Sequence, residues 1–320
     1  MLSTNLTLKN LLIAVLICFT ACKQKEITAS SEETTPKYQI SLAQWSMNKQ
    51  IRNGSMDPFD FAKKASEMGF EGIEYVNQLY RPHFENAESP EAGMQSFIEK
   101  SLAESQAHNI RNVLIMIDGE GNLSAEDEAE RNEAVENHKR WVDAAAALGC
   151  HSIRVNLHGS SDPETWIETS VLGMKALGSY ALEKNINIIV ENHGGLSSNA
   201  AKLSEVLKAV NMPNCGSLPD FGNFCMASEY GSTGERTCTD EYDKYLGVKE
   251  LMPYAKAVSA KTYTFDEQGN ERNINYAKMM EIVKNSDYQG FIGVEFEGDE
   301  LSEEEGIMAS KALIEKSLLQ

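Results

Sequence analysis

The sequence has few of the residues that build metal-centred or disulfide-rich scaffolds. Its 320 residues include six cysteines and six histidines, and no two cysteines have CxxC spacing. Zinc ribbons need closely spaced cysteine pairs, and small secreted scaffolds need dense disulfides, so both classes are excluded. No GxGxxG turn follows the first predicted strand, which disfavours a dinucleotide-binding Rossmann domain. A large hydrophobic core must therefore hold the fold.

Positive charge is also scarce. The formal net charge is −19, and it becomes −20 without residues 1–21, whose one charged residue is Lys9. Such a chain repels phosphate backbones, so nucleic acid is excluded as a partner. A neutral small-molecule substrate is the better hypothesis.

Long apolar runs are missing as well. The run Leu11–Phe19 is too short to cross a bilayer but suits the central region of a signal peptide. It leads into Phe19-Thr20-Ala21-Cys22, which resembles the lipobox of bacterial lipoproteins, although Phe19 replaces the usual leucine. We therefore predict a lipoprotein signal peptide over residues 1–21. The alternative to a lipoprotein signal is an ordinary secretory signal with a chance cysteine.

The lipobox implies that Cys22 is lipidated and anchors the protein to a membrane, facing the periplasm or cell surface. The polar stretch KQKEITASSEETTP that follows is typical of a flexible tether. We assign residues 22–37 to the lipidated cysteine and linker, and residues 38–320 to one folded domain.

The folded region repeats a plan of helix, glycine and apolar strand. The segments EMGFEGIEY (67–75), ALGCHSIRV (147–155) and DYQGFIGVE (287–295) show it, with glycine placed where a helix C-cap needs the left-handed conformation. Eight such units predict a single-domain (β/α)8 TIM barrel, with a doubly wound open sheet as the alternative. The predicted strands are 39–46, 72–77, 110–117, 151–158, 186–193, 215–221, 256–263 and 290–297.

Polar residues alternate with apolar ones at the carboxyl ends of these strands. In a barrel, such positions point into the active face. They are Asn156, His158, Glu191, His193, Ser259, Lys261, Glu295 and Glu297, with Asp220 closing the sixth strand. One strand-end carboxylate is ordinarily a structural cap. Three of them, Glu191, Asp220 and Glu295, would repel one another in a buried lumen unless a cation or protons neutralised them. Oxygen-rich ligation favours Mn²⁺ or Mg²⁺ over Zn²⁺, although His193 or His158 could add nitrogen.

The motifs IIVENHGG, LPDFGNF and FIGVEFEG, in this order, resemble the xylose isomerase-like TIM-barrel superfamily of sugar isomerases and epimerases. The resemblance covers residues 38–317. It implies a divalent metal held by Glu191, Asp220 and Glu295, with the two glutamates also exchanging protons with a substrate carbon. The multi-zinc endonucleases of the superfamily need more histidines than these strand ends provide, which excludes that function.

Two positions depart from the family pattern. Ser259-Ala260-Lys261-Thr262 replaces the common His-x-Lys-Asp of the seventh strand, and Asn223 replaces the histidine of Asp-x-x-His. Either His193 or His158 supplies the missing ligand, or water does, or the Lys261 ammonium makes metal binding weak or absent. Lys261 is accordingly a candidate catalytic residue.

The remaining candidates would contact substrate. Asn156, His158, His193, Gln44 and Trp45 are predicted to bind it, and Tyr263 and Phe265 could add an apolar wall, although core packing explains the aromatic residues equally well. The long segment Phe221–Leu246 is predicted to be a lid or rim over the site. Cys225 and Cys238 could staple it, which the sequence leaves open.

The resemblance implies a metal-dependent isomerase or epimerase that removes a proton next to a carbonyl of an unphosphorylated carbohydrate. Export argues against sugar phosphates. Two alternatives stay open: a 3-keto-glycoside lyase acting by β-elimination on the same scaffold, and a non-catalytic sugar-binding lipoprotein.

Overall fold

All eight predicted strands are present in the computed structural model, which describes residues 37–234 and 238–319. They are Tyr38–Ala43 (β1), Gly72–Val76 (β2), Arg111–Met116 (β3), Ser152–Val155 (β4), Asn187–Glu191 (β5), Cys215–Leu218 (β6), Val258–Thr262 (β7) and Gly290–Phe296 (β8). The predicted strands overran these bounds by up to three residues. The overrun has a simple cause: the polar residues at the predicted carboxyl ends belong to loops over the barrel.

The strands form one parallel sheet in the order β6-β5-β4-β3-β2-β1-β8-β7. Parallel bridges from Ser217 to Ala255 and from Asp220 to Ser259 join its two outer strands, β6 and β7, and close the sheet on itself. Each strand thus lies beside its neighbour in sequence. This confirms the TIM barrel and excludes the doubly wound open sheet, in which strand order reverses at a switch point.

The α-helices of the described residues surround this sheet. They span Asn48–Arg52 (α1), Phe61–Glu67 (α2), Arg81–Glu85 (α3), Pro90–Ala107 (α4), Glu128–Leu148 (α5), Pro163–Glu183 (α6), Ala200–Val210 (α7), Lys244–Leu251 (α8), Tyr276–Lys284 (α9) and Glu303–Leu318 (α10). Short 3₁₀ helices occupy Gln44–Met47, Pro58–Asp60, Asn77–Tyr80, Gly195–Ser198 and Met252–Tyr254.

The helix signals in the sequence have their expected structural roles. Ser302 and Glu305 form a capping box at the start of α10. Gly149 ends α5 with φ of 75°, the left-handed conformation that glycine adopts without steric cost. The apolar face of α7 is buried, and this burial of periodic side chains attaches the helix to the sheet.

The core fills both faces of the strands. Ile188, Ile189 and Val190 on β5 are fully buried, as expected for a parallel strand covered by helices outside and side chains inside. A cluster of aromatic rings that includes Phe97 on α4 and Trp141 on α5 packs edge to face. The described residues form one compact unit.

The segment after β6 is cross-linked. Cys225 and Cys238 form a disulfide with Cα atoms 5.7 Å apart, which answers the question that the sequence left open. The same segment is held by an antiparallel bridge between Cys225 and Glu241 and by the Met226 amide donating to the Asp240 carbonyl. Cys150 and Cys215 are free thiols.

The predicted signal peptide, the lipidated Cys22 and most of the 22–37 linker lie outside the described residues. In the part of the chain that the structure describes, no helix combines the length and hydropathy needed to cross a bilayer.

Replacing both Cys225 and Cys238 with serine should destabilise the protein by about 2–4 kcal/mol, because the cross-link removes conformational freedom from the unfolded chain. Urea unfolding of the variant and wild type measures the difference. Cys215→Ser is the matched control, since it alters a thiol without removing a cross-link. Equal stability of the double variant and this control would contradict the expected role.

Candidate active site

A cavity of about 700 Å³ opens at the carboxyl ends of the strands. Its wall includes seven residues that the sequence singled out: Trp45, Asn156, His158, His193, Tyr263, Glu295 and Glu297. The disulfide-bonded segment supplies Ser228, Glu229 and Tyr230 to the same wall, and the Tyr230 ring lies 5.5 Å from that of His193. The predicted lid segment therefore borders the cavity.

The three carboxylates predicted to meet do meet. Glu191 ends β5, Asp220 follows β6 and Glu295 lies near the end of β8; one oxygen atom from each lies within 4.8 Å of the others. All three side chains are buried. Parallel strands place their carboxyl ends at one edge, which explains how residues distant in sequence come together.

Lys261 and Ser259 on β7 contact this carboxylate cluster. Lys261 Nζ lies 3.3 Å from Glu295 Oε2, 3.3 Å from Glu297 Oε1 and 3.8 Å from Asp220 Oδ2. Ser259 Oγ lies 2.6 Å from Asp220 Oδ2 and 2.9 Å from Glu295 Oε2. The serine that replaces the family's histidine thus bridges two of the three carboxylates with its hydroxyl group.

The carboxylate cluster is short of positive charge. Burial raises the pKa of Asp220 to about 7, although the Lys261 ammonium opposes the shift. Burial also raises the pKa of Glu191 well above its ordinary value, against the opposing charge of Arg154. Both shifts mean that the ionised forms are under-compensated by the surrounding side chains.

Arg154 is a site residue that the sequence reasoning missed. It lies on β4, is buried, and lines the cavity. Its NH1 donates to Asp118 Oδ1 at 2.8 Å, and its Nε lies 2.9 Å from Glu191 Oε2. The alternation along β4 carried the signal, because Arg154 points to the same side as Asn156 two residues later.

Asp118, also missed, follows β3 and accepts hydrogen bonds from Arg154 and from Asn156 Nδ2 at 2.7 Å. Burial acts to raise the pKa of Asp118, but the Arg154 charge outweighs it and the pKa is lowered. Asp118 therefore stays ionised and fixes the guanidinium against the cavity wall.

Several buried polar atoms at the cavity have no hydrogen-bond partner among the described residues. They include Arg154 Nε, Asn156 Oδ1 and His193 Nδ1. Arg154 Nε contacts Glu191 without the alignment of a hydrogen bond. Buried polar groups in proteins are nearly always paired, so this mixed set of donors and acceptors suits a polar ligand.

Gln44 does not line the cavity, in contrast to its predicted contact with substrate. Its side chain is buried and its amide donates to Tyr80 Oη and to the Pro58 carbonyl, while its Oε1 accepts from the Val76 amide. The chain turns into a 3₁₀ helix at Gln44, which directs this residue to the β1 and β2 loops instead.

Only part of the predicted aromatic wall lines the cavity. Trp45 is half-buried in the cavity wall, with the Arg52 guanidinium 4.5 Å above its ring. Tyr263 also lines the cavity, but Phe265 packs against Phe296 and does not. Desolvation, followed by the nearby Arg154 charge, lowers the pKa of His193 well below its ordinary value, so its ring is neutral near pH 7.

The donor set fits a divalent cation. Three buried carboxylates offer oxygen ligands, and the raised pKa values of Glu191 and Asp220 show unmet negative charge that an ion would neutralise. No histidine belongs to this set of ligand atoms among the described residues, so oxygen alone defines the site. Hard, oxygen-preferring ions such as Mn²⁺ or Mg²⁺ suit it best.

The closed parallel barrel identifies a TIM-barrel protein. Sequence comparison identifies the family of TIM barrels to which it belongs. Residues 62–317 match the xylose isomerase-like TIM barrel family. The chain belongs to this family, which confirms the resemblance seen in its motifs. No curated protein matches the chain in sequence.

Solved structures share the fold at low sequence identity. The 3-keto-D-glucoside 4-epimerase of E. coli superposes with a TM-score of 0.62 at 12% identity, covering 88% of this chain and 100% of that one. A D-tagatose 3-epimerase-like protein gives 0.64 at 17% identity, covering 88% and 97%. The D-allulose 3-epimerase of Methylomonas sp. gives 0.61 at 17% identity, covering 88% and 98%.

A fourth buried carboxyl, Glu74 on β2, lies deeper in the barrel. Its Oε1 accepts a hydrogen bond from Ser41 Oγ at 2.6 Å, and its Oε2 has no partner among the described residues. Gly293 makes room for it, since a Cβ there would lie 2.4 Å from Glu74 Oε1. Burial raises the pKa of Glu74 to about 8, so the carboxyl is largely neutral at pH 7.

Glu74→Gln should remove a pH dependence of stability. Between the ordinary pKa of 4.5 and the folded value of about 8, the folded protein holds a proton that the unfolded chain has lost. Stability therefore falls as pH rises through this window, by up to about 1.4 kcal/mol per pH unit, and levels off above it. Urea unfolding across the window tests this, with the exposed Glu300→Gln as control. Identical slopes in wild type and Glu74→Gln would show the expectation to be wrong.

Proposed function

We propose that the protein is a metal-dependent isomerase or epimerase that removes a proton next to a carbonyl of an unphosphorylated carbohydrate. The observation that carries this proposal is the buried set of Glu191, Asp220 and Glu295 beside a cavity. Family membership supports it, as do the names of the structural neighbours, a keto-glucoside epimerase and a tagatose epimerase-like protein among them.

The chain's own residues supply the acid-base chemistry. A glutamate of the carboxylate cluster accepts the proton from the carbon and later returns it. Lys261 holds the cluster carboxylates with its ammonium group. When bound by Glu191, Asp220 and Glu295, Mn²⁺ or Mg²⁺ would supply Lewis acidity toward a developing negative charge.

The cavity wall would hold the sugar. Asn156, His158 and His193 offer partners for hydroxyl groups, and Trp45 offers an aromatic face for C–H groups. Arg154 and Asp118 add a charged donor and acceptor at the same wall. This mixture of polar and aromatic groups is typical of small-molecule sites that fix orientation with few contacts.

The test is proton exchange in D₂O, with Mn²⁺ or Mg²⁺ and a set of ketohexoses, aldoses and 3-keto-glucosides, followed by NMR. Deuterium at the carbon next to the carbonyl would support the proposal. Release of the glycosidic substituent would identify the 3-keto-glycoside lyase instead. Sugar binding without exchange on any member of the set would favour the non-catalytic sugar-binding protein.

Asp220→Asn should weaken Mn²⁺ binding at least about tenfold, because an amide is a poorer ligand for a hard cation than a carboxylate. Calorimetric titration of the metal measures this without a substrate. Asp143→Asn, which alters an exposed carboxylate paired with Lys184, should leave metal affinity unchanged. Equal affinity of Asp220→Asn and wild type would contradict metal binding by the carboxylate cluster.

We also propose that the protein is an extracytoplasmic lipoprotein anchored at Cys22, on the basis of its lipobox-like sequence. Cys22→Ser should then move the protein from the membrane fraction to the soluble fraction, since the lipid attachment site is lost. Immunoblotting of cell fractions measures the distribution, with Cys150→Ser as control. Unchanged membrane attachment of Cys22→Ser would overturn the anchor.

A further inference from the structure

The two glutamates of the carboxylate cluster differ in their access to the cavity. Glu295 lines it, and Glu191 does not. Glu295 Oε2 contacts Ser259 and Lys261, whereas its Oε1 makes no hydrogen bond with the described residues. One oxygen of Glu295 is therefore available to a molecule in the cavity.

Both oxygens of Glu191 are engaged by protein. Asn223 Nδ2 donates to Oε1 at 3.0 Å, and Arg154 Nε lies 2.9 Å from Oε2. Arg154 itself lines the cavity, and Asp118, which lines the same wall, accepts a hydrogen bond from its NH1. The guanidinium thus covers Glu191 and presents positive charge to the cavity in its place.

Arg154 and Glu295 belong to opposite walls. In the closed sheet, β4 and β8 are separated by three strands on one side and by three on the other. A sugar in the cavity would meet a carboxylate from one wall and a guanidinium from the other.

We propose that Glu295 alone exchanges protons with the substrate carbon, and that Arg154 is a catalytic residue that donates to the substrate oxygen. This inference rests on the proposed function and narrows it. With one base on one wall, proton removal and return occur on the same face of the carbon.

Isomerisation satisfies this constraint. The C–H bond next to the carbonyl breaks, its proton goes to Glu295, and its electron pair forms the enediolate, whose oxygen charge Arg154 stabilises. Glu295 then returns the proton to the neighbouring carbon, while the hydroxyl proton moves between the two oxygens. No oxidant or other reactant is required.

A same-face elimination also satisfies it. There the electron pair forms a C=C bond as the neighbouring C–O bond breaks, and the leaving oxygen takes the proton from Glu295. Epimerisation is incompatible with the proposal, because inversion needs a second group that gives a proton from the opposite face, and the proposal assigns the opposite wall to Arg154. An arginine side chain stays protonated at all ordinary pH values and does not exchange protons in this way.

The first experiment measures access and needs no substrate. The Mn²⁺-loaded protein is treated with a water-soluble carbodiimide and a small amine, and peptide mass spectrometry follows the labelling of each glutamate. We expect Glu295 to react at least about tenfold faster than Glu191. Arg154→Met should raise the labelling of Glu191, and Arg272→Met, which alters an exposed arginine, should not. Equal labelling of the two glutamates in wild type would overturn the proposal, even if Arg154→Met failed to fold.

The second experiment determines the stereochemistry of proton return to the substrate carbon. In D₂O, deuterium should enter the substrate without formation of an epimer, and Arg154→Met should slow exchange by about 10²-fold, as for other donors to a developing oxyanion. Arg154→Lys should recover part of that loss because it keeps a positive charge. Deuterium-labelled epimer would refute the single-face mechanism. Absence of exchange with every sugar would count against the proposed function, while the labelling ratio would still decide which glutamate faces the cavity.

Discussion

The site depends on the burial of like charges at one edge of the barrel. Glu191, Asp220 and Glu295 occupy a lumen from which water is largely excluded, and carboxylates in such a setting repel one another strongly. The fold compensates with two buried cations, Lys261 on one side and Arg154 on the other. Their charge is insufficient, as the raised pKa values of Asp220 and Glu191 show, and a divalent ion would make up this deficit.

The same electrostatic constraint accounts for residues outside the carboxylate cluster. Asp118 is ionised because Arg154 is beside it, and Arg154 is held against the wall because Asp118 is ionised. Glu74, which forms no ion pair with the described residues, stays largely protonated and fits only because Gly293 lacks a side chain. Charge pairing therefore determines which acidic groups of the lumen carry charge.

The fold was largely predictable from the sequence, because helix caps, glycines and buried strands obey local rules. Glu191, Asp220 and Glu295 could also be grouped, since each lies at the carboxyl end of a strand. Arg154 was missed because only the polar residues at the end of its predicted strand, Asn156 and His158, were considered as site residues. The position of Gln44 outside the cavity wall could not be predicted, because the turn that follows β1 cannot be read from alternation. The pairing of Cys225 with Cys238 depended on a distance in space that spacing in sequence does not give.

The cross-linked segment has a consequence for where the protein can work. It carries Tyr230 over His193, so the roof of the cavity is shaped by a bond that forms only in oxidising surroundings. The other two thiols of the folded region are poor competitors for that bond, because burial raises the pKa of both Cys150 and Cys215. The redox state of the protein's surroundings therefore affects the shape of this cavity.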